Sequence, residues 1–287
     1  MRRVADVLEL RREYDDFLVD LWGVVHDGER LFAGARATLE ALAESGARVL
    51  FLTNSSRLGP RVAESLVAMG LRREMFVDVV SSGDVTRAAL AARDPRPFGA
   101  SPDAARVLHV GRASFVPWLF ELGLAFVREP QRANLVVATG TVAGEAELDG
   151  LRRTLAPLAE RGTPLVCTNP DRLIPSSAGL TLGPGAVAHA YASLGGPTFL
   201  YGKPHPPIYR AALARLGRPA AGVVAVGDTI ETDIAGARRA SLASVLVTTG
   251  VHAAELGEAP GDAALAAAFA AHGAAPDAVV AYFGRRA

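Results

Sequence analysis

Short, unbroken apolar runs alternate along the chain with alanine- and leucine-rich stretches whose apolar positions recur at helical spacing. Residues 17–20 end a strand, 35–44 read as a helix closed by Gly46, and 48–53 are continuously apolar, as a strand buried on both faces requires. A helix over 61–69 stops at Gly70, and 76–80 form a third strand. The rhythm returns late in the chain: helix 208–216 closed by Gly217, strand 222–227, helix 234–240 and strand 244–248. Between these halves lie strands over 106–110, 125–127, 135–138 and 165–167, with helices near 115–122 and 148–159. Arg93-Asp-Pro-Arg-Pro and Gly195-Gly196-Pro197 break the pattern as turns. Strand, helix and strand in repeated order imply right-handed crossovers and parallel pairing. The expected fold is α/β: a Rossmann-like, doubly wound parallel sheet core from residues 1–87 and 197–287, interrupted by an inserted α/β cap domain over 88–196.

The 287 residues suffice for two domains. Lys plus Arg total 30 and Asp plus Glu total 30, so no basic excess points to nucleic acid or to an anionic membrane. The apolar stretch at 263–271 is too short to span a bilayer, and the charged first residues lack the apolar centre of a signal peptide. The expectation is a soluble, cytoplasmic protein. The single cysteine, Cys167, rules out an intrachain disulfide; closing the run Pro164-Leu-Val-Cys167, it reads as a buried small hydrophobe.

In a parallel sheet, ligands bind beyond the carboxyl ends of the strands. Four polar clusters fall there: Asp20, Thr53-Asn54, Lys203 after Thr198-Phe-Leu-Tyr-Gly202, and Asp228 with Asp233. Together they suit phosphoryl transfer. A carboxylate can attack phosphorus. A second one can share a hard cation with it through oxygen ligands. A hydroxyl and an amide can donate to phosphate oxygens, and a lysine can neutralise the transferring group. Asp233, five residues after Asp228, can fix a metal-bound water or cap the turn.

The segments Val19-Asp-Leu-Trp-Gly-Val-Val25, Leu52-Thr-Asn-Ser-Ser-Arg57, Tyr201-Gly-Lys-Pro-His205 and Gly227-Asp-Thr-Ile-Glu-Thr-Asp-Ile-Ala-Gly-Ala237 resemble, in this order, the motifs of the haloacid dehalogenase superfamily. The resemblance is to its class IIA, the p-nitrophenyl phosphatase-like and phosphoglycolate phosphatase-like enzymes. The middle of the chain is similar to that class's large cap, and Cys167-Thr-Asn-Pro-Asp-Arg-Leu-Ile-Pro175 to its substrate-facing loop. The resemblance implies Asp20 as nucleophile and Mg²⁺ ligand, the backbone carbonyl of Trp22 and the Asp228 carboxylate as further ligands, and Lys203 as cationic clamp. Thr53 and Asn54 would bind phosphate, Asn169 and Asp171 would touch substrate, and Asp233 would support the site. It further implies an aspartyl-phosphate intermediate, a small phosphorylated metabolite as substrate, and a homodimer.

One position departs. Family phosphatases carry an aspartate two residues after the nucleophile as general acid and base; here that residue is Trp22. An indole offers one N–H donor and no acidity near neutral pH. General acid–base help contributes about 10²- to 10⁴-fold in rate. His26 and Asp27 are stand-in candidates, although Asp27-Gly28 equally spells a turn. His205 is a candidate for lining the site, whereas His109, His189 and Tyr191 read as packing residues. Trp22 keeps two rivals to phosphate hydrolysis open: carbon–halogen hydrolysis, which the metal-type carboxylate Asp228 argues against, and binding of a phosphorylated metabolite with little turnover.

Overall fold

The apolar runs become strands whose alternate side chains enter opposite layers. A computed structural model describes residues 2–99, 102–176, 179–257 and 259–284. The chain divides into two units: Met1–Thr53, Gly59–Val80 and Lys203–Ala287 form the first, Asn54–Leu58 and Ser81–Gly202 the second.

The sheet of the first unit has seven strands in the order Arg2–Arg3, Ala278–Val280, Ala243–Val247, Val223–Gly227, Asp16–Val19, Arg48–Thr53, Asp78–Ser81. The register is parallel at each of the first five junctions. Val245 and Val247 enter the layer that holds Leu39 and Leu42 of helix Ala35–Glu44 and Leu66 of helix Gly59–Ala68. Leu246, between them, enters the opposite layer with Leu265 and Ala268 of helix Asp262–His272. This two-sided burial is why the strands read as unbroken apolar runs instead of alternating ones. Phe17 and Phe51 are fully buried, and truncating either to alanine would cost about 3–5 kcal/mol.

The second unit carries its own five-stranded parallel sheet, ordered Thr198–Leu200, Leu165–Cys167, Leu135–Ala138, Arg106–Val110, Ala125–Val127. Val136 and Ala138 face helices Glu145–Glu160 and Pro184–Ser193, while Leu135 and Val137 face Trp118 and Leu119. Both units are thus doubly wound α/β layers, as the strand–helix rhythm requires.

The expected helix near 115–122 is reduced to a 3₁₀ turn, Ala113–Phe115, and one helical turn, Pro117–Phe120. Pro117 cannot donate to an incoming helix, so a new one starts there. Before helix Ala235–Arg239 comes a π-helical turn, Ile230–Ile234. Among the described residues, no helix is long and apolar enough to cross a membrane.

Candidate active site

Asp20 directly follows strand Asp16–Val19, and Asp228 directly follows its neighbour Val223–Gly227. Val19 pairs with Val226, so both aspartates leave the sheet at its carboxyl edge within one residue of each other in height. The Asp20 amide donates to the Val226 carbonyl at 2.9 Å, which fixes where its side chain begins. Thr53 ends the strand on the other side, where Val19 pairs with Phe51.

Lys203 closes the group. Its ammonium donates to Asp20 Oδ1 at 2.6 Å and to Asp233 Oδ1 at 2.7 Å, and only 4% of its side chain is exposed. Asp233 also accepts the Thr229 amide on Oδ2, at 3.1 Å. The π-helical turn therefore both caps itself and aims a carboxylate at the lysine. Asp228 accepts from the Val251 amide at 2.8 Å and the Thr229 hydroxyl at 3.2 Å.

The approach to Asp228 leaves no space for a β-carbon on either side. One added at Gly23 would lie 1.9 Å from Asp228 Oδ2, and one at Gly250 would lie 2.1 Å from the same oxygen. Gly23 also has φ +84°, a left-handed conformation that other residues adopt only with strain. The glycine after Trp22 is thus a condition of the site's shape.

Electrostatically the group is a triad of carboxylates around one cation. Burial opposes the charge on Lys203, but contact with Asp20 and Asp233 outweighs it and raises its pKa well above the usual lysine range. Burial, then the Asp20 and Asp233 charges, pushes the Asp228 carboxyl well above the ordinary carboxylate range. Asp233 is pushed up to about 6, burial outweighing the pull of Lys203. One carboxylate oxygen each from Asp20, Asp228 and Asp233 lies within 4.8 Å of the others. Three carboxylates and one ammonium leave two negative charges uncompensated when all are ionised. Oxygen donors at this density are what a hard divalent cation takes, so the residues fit one.

Trp22 is turned to structural use. The Trp22 indole N–H donates to the Asp27 carbonyl at 3.0 Å, and the ring is half-buried. Asp27 Oδ1 accepts the amides of Glu29 and Arg30 at 2.9 and 2.8 Å, and these bonds lower its pKa. His26 Nδ1 accepts the Gly28 amide at 2.9 Å, and burial lowers its pKa. Both stand-in candidates therefore hold a turn: an Asx-type cap and a neutral imidazole.

In the second unit, the structure brings together three other sequence candidates. Asn54 Nδ2 donates to Asp171 Oδ1 at 2.8 Å, and the Asp171 amide donates to Asn169 Oδ1 at 2.9 Å. Ser56 and Thr168 share a 2.6 Å hydroxyl bond beside them. Three further histidines named from the sequence, His109, His189 and His205, are packing or surface groups. His109 pairs with Thr139 Oγ1 at 2.7 Å and lies edge-on to Phe120. His189 is exposed, and His205 stands at the N-cap position of helix Pro206–Leu216 without a side-chain capping bond. Tyr191 is buried and donates to the Thr163 carbonyl at 2.6 Å. Cys167 is fully buried, and burial raises its thiol pKa to about 12, as an inert core residue requires. The sequence reading missed the amide of Val251 on Asp228 and the glycines that flank it; loop amides carry no side-chain signal.

Comparisons with known proteins give the family. A haloacid dehalogenase-like hydrolase model matches residues 17–125, and a HAD-hydrolase-like model matches 200–281. The chain is 30% identical over 244 residues to an acid sugar phosphatase of Staphylococcus aureus, covering 84% of this chain and 88% of that one. It is 34% identical over 247 residues to a D-glycerol 3-phosphate phosphatase of Mycobacterium tuberculosis, covering 85% of this chain but 66% of that longer protein. Among solved structures, a haloacid dehalogenase-like hydrolase of Brucella suis superposes with TM-score 0.81 at 32% identity, over 97% of this chain and 99% of that one. A glycerol phosphate phosphatase of M. tuberculosis, solved in complex with magnesium, superposes with TM-score 0.64 at 32% identity, over 84% and 70% of the two chains. Ordered motifs, two doubly wound units, the carboxylate–lysine cluster and these relatives together make the chain a member of the haloacid dehalogenase superfamily, among its class IIA phosphatases.

Proposed function

We propose that the protein hydrolyses a small phosphate monoester through an aspartyl-phosphate on Asp20, with Mg²⁺ held by Asp20, Asp228 and the Trp22 carbonyl. The observation that carries this is the placement of Asp20 at the edge of the sheet, bonded at 2.6 Å to a buried lysine and flanked by Asp228. Magnesium, when bound, supplies charge neutralisation at the phosphoryl oxygens. An Asp20 carboxylate oxygen attacks phosphorus, the phosphorus–oxygen bond to the leaving group breaks, and the alkoxide takes a proton from solvent. Water then attacks the phosphorus of the acyl phosphate, loses a proton, and releases phosphate with Asp20 regenerated. Lys203 balances the negative charge that builds on the transferring group, and Asp233 holds the lysine in place. Thr53 and Asn54 donate to the phosphate. Asn169 and Asp171 touch the substrate. Relatives that act on glycerol phosphate and sugar phosphates support that substrate class.

Trp22 favours a second reading, binding of a phosphorylated metabolite with slow turnover. A phosphate-release panel of glycerol 3-phosphate, sugar phosphates, phosphoglycolate and p-nitrophenyl phosphate, with and without Mg²⁺, separates the two. Metal-dependent release that Asp20→Asn abolishes is the expected result, with beryllium fluoride binding the wild type and not the variant. Full activity in Asp20→Asn would sink the covalent mechanism. Tight binding with no release from any ester would favour the second reading.

A further inference from the structure

Four side chains of the first unit, from segments far apart in sequence, close into a box that phosphoryl transfer does not use. Glu231 lies in the π-helical turn after Asp228, His252 and Glu255 in the segment after Val251, and His272 at the end of the last helix. His272 Nδ1 is 2.6 Å from Glu231 Oε1, and its Nε2 is 3.0 Å from Glu255 Oε2. His252 Nδ1 is 3.1 Å from the same Glu255 oxygen, and its Nε2 is 3.4 Å from Glu231 Oε2. The two imidazoles sit with centroids 4.6 Å apart. Every ring nitrogen thus faces a carboxylate, each carboxylate is shared by both rings, and His252 Nε2 also accepts the Ile230 amide at 3.2 Å. Two of the chain's six histidines converge here.

We propose that Glu231, His252 and His272 form a second divalent-cation site, suited to zinc, cobalt or nickel in place of magnesium, with Glu255 orienting the two rings. One ligand atom each from Glu231, His252 and His272 already lies within 4.8 Å of the others. Imidazole nitrogens suit borderline ions, whereas Mg²⁺ prefers all-oxygen shells and retained water. Two carboxylates and two neutral imidazoles carry the charge a dication balances. His252 is almost fully buried and held by its surroundings, while the glutamates are about half-exposed and leave a route in from solvent. A bound ion would fasten the π-helical turn, the Val251 segment and the final helix together, and two of these touch Asp228 or Lys203.

Zinc chloride titrated calorimetrically into protein saturated with Mg²⁺ tests the site. Asp228→Asn protein serves as a second background, because zinc can also enter the aspartate cluster. One zinc equivalent that persists in Asp228→Asn and weakens at least tenfold in both His272→Asn and Glu231→Gln is expected. These two positions are partly exposed, so the variants leave the buried His252 in place. Cobalt should give a visible d–d band in the wild type and none in His272→Asn. The proposal is overturned if zinc binding disappears in Asp228→Asn while the box is intact. It is equally overturned if zinc binds the two box variants as tightly as the wild type, or if it does not bind at all.

Discussion

Trp22 is the residue on which the rate of this enzyme should turn. Its indole N–H is spent on the Asp27 carbonyl, and the neighbouring His26 and Asp27 are spent on the turn. Neither the Trp22 indole nor an Asp27 carboxyl with a lowered pKa is then a ready acid for the leaving group. A p-nitrophenolate departs without a proton at neutral pH, whereas an alkoxide needs one. The wild type is therefore expected to favour aryl over alkyl phosphates. Trp22→Asp should raise alkyl-ester turnover by one or more decades, within the 10²- to 10⁴-fold range of acid–base help. The aryl ester should gain less. Losing the indole leaves a void and a carboxylate where a ring packed, so melting curves must accompany the kinetics. A folded Trp22→Asp protein with no alkyl gain on any substrate would remove Trp22 from the acid–base position. The site was legible at this scale because Asp20 and Asp228 each directly follow an apolar run and Lys203 comes three residues after one. Nothing in a single sequence shows that an indole bonds to a carbonyl five residues on, so Trp22 could be flagged but not explained.

At the level of elements, the histidine–glutamate box makes a pH signature. Hydrogen bonding to His252 outweighs burial and lowers the Glu231 pKa from 4.5 to about 2. Burial alone would lower His252, but its carboxylate partners raise it above its ordinary 6.5. Glu231 thus stabilises the fold above pH 4.5, and this is lost as pH falls toward 2. His252 stabilises it below pH 6.5, and this is lost as pH rises through its raised value. In EDTA, the melting temperature of wild type minus that of Glu231→Gln should peak between pH 4.5 and 6.5 and shrink on both sides. A difference that stays flat from pH 3 to 8 would mean the box contributes nothing to stability. No sequence signal could assemble this box, because its members meet only through tertiary folding across 41 residues. Other elements were readable or nearly so. Gly217 ends its helix in the left-handed conformation that the sequence placed there. Helix Ser82–Ala91 went unread although Ser81 and Asp84 spell its capping box. The antiparallel pairing of Leu173–Ser176 with Gly179–Leu182 was hidden by Pro175, a residue that argues against strand.

For the whole molecule, two units with separate cores invite two unfolding steps. All three clustered carboxylates belong to the first unit. Magnesium at 100 times its dissociation constant stabilises the state that binds it by about 2.7 kcal/mol. Scanning calorimetry should therefore show Mg²⁺ moving one transition up by several degrees and leaving the other in place. Asp228→Asn should lose that shift. A shift that survives in Asp228→Asn would put the ion elsewhere.

The burial of Cys167 reaches beyond stability. A fully enclosed thiol with a pKa near 12 is invisible to maleimide reagents in the native protein. The natural chain is therefore already a cysteine-free background for spectroscopy. One surface cysteine introduced into each unit can carry a spin label or dye directly. The distance between the pair can then be followed as substrate and metal are added, with no prior engineering of the core.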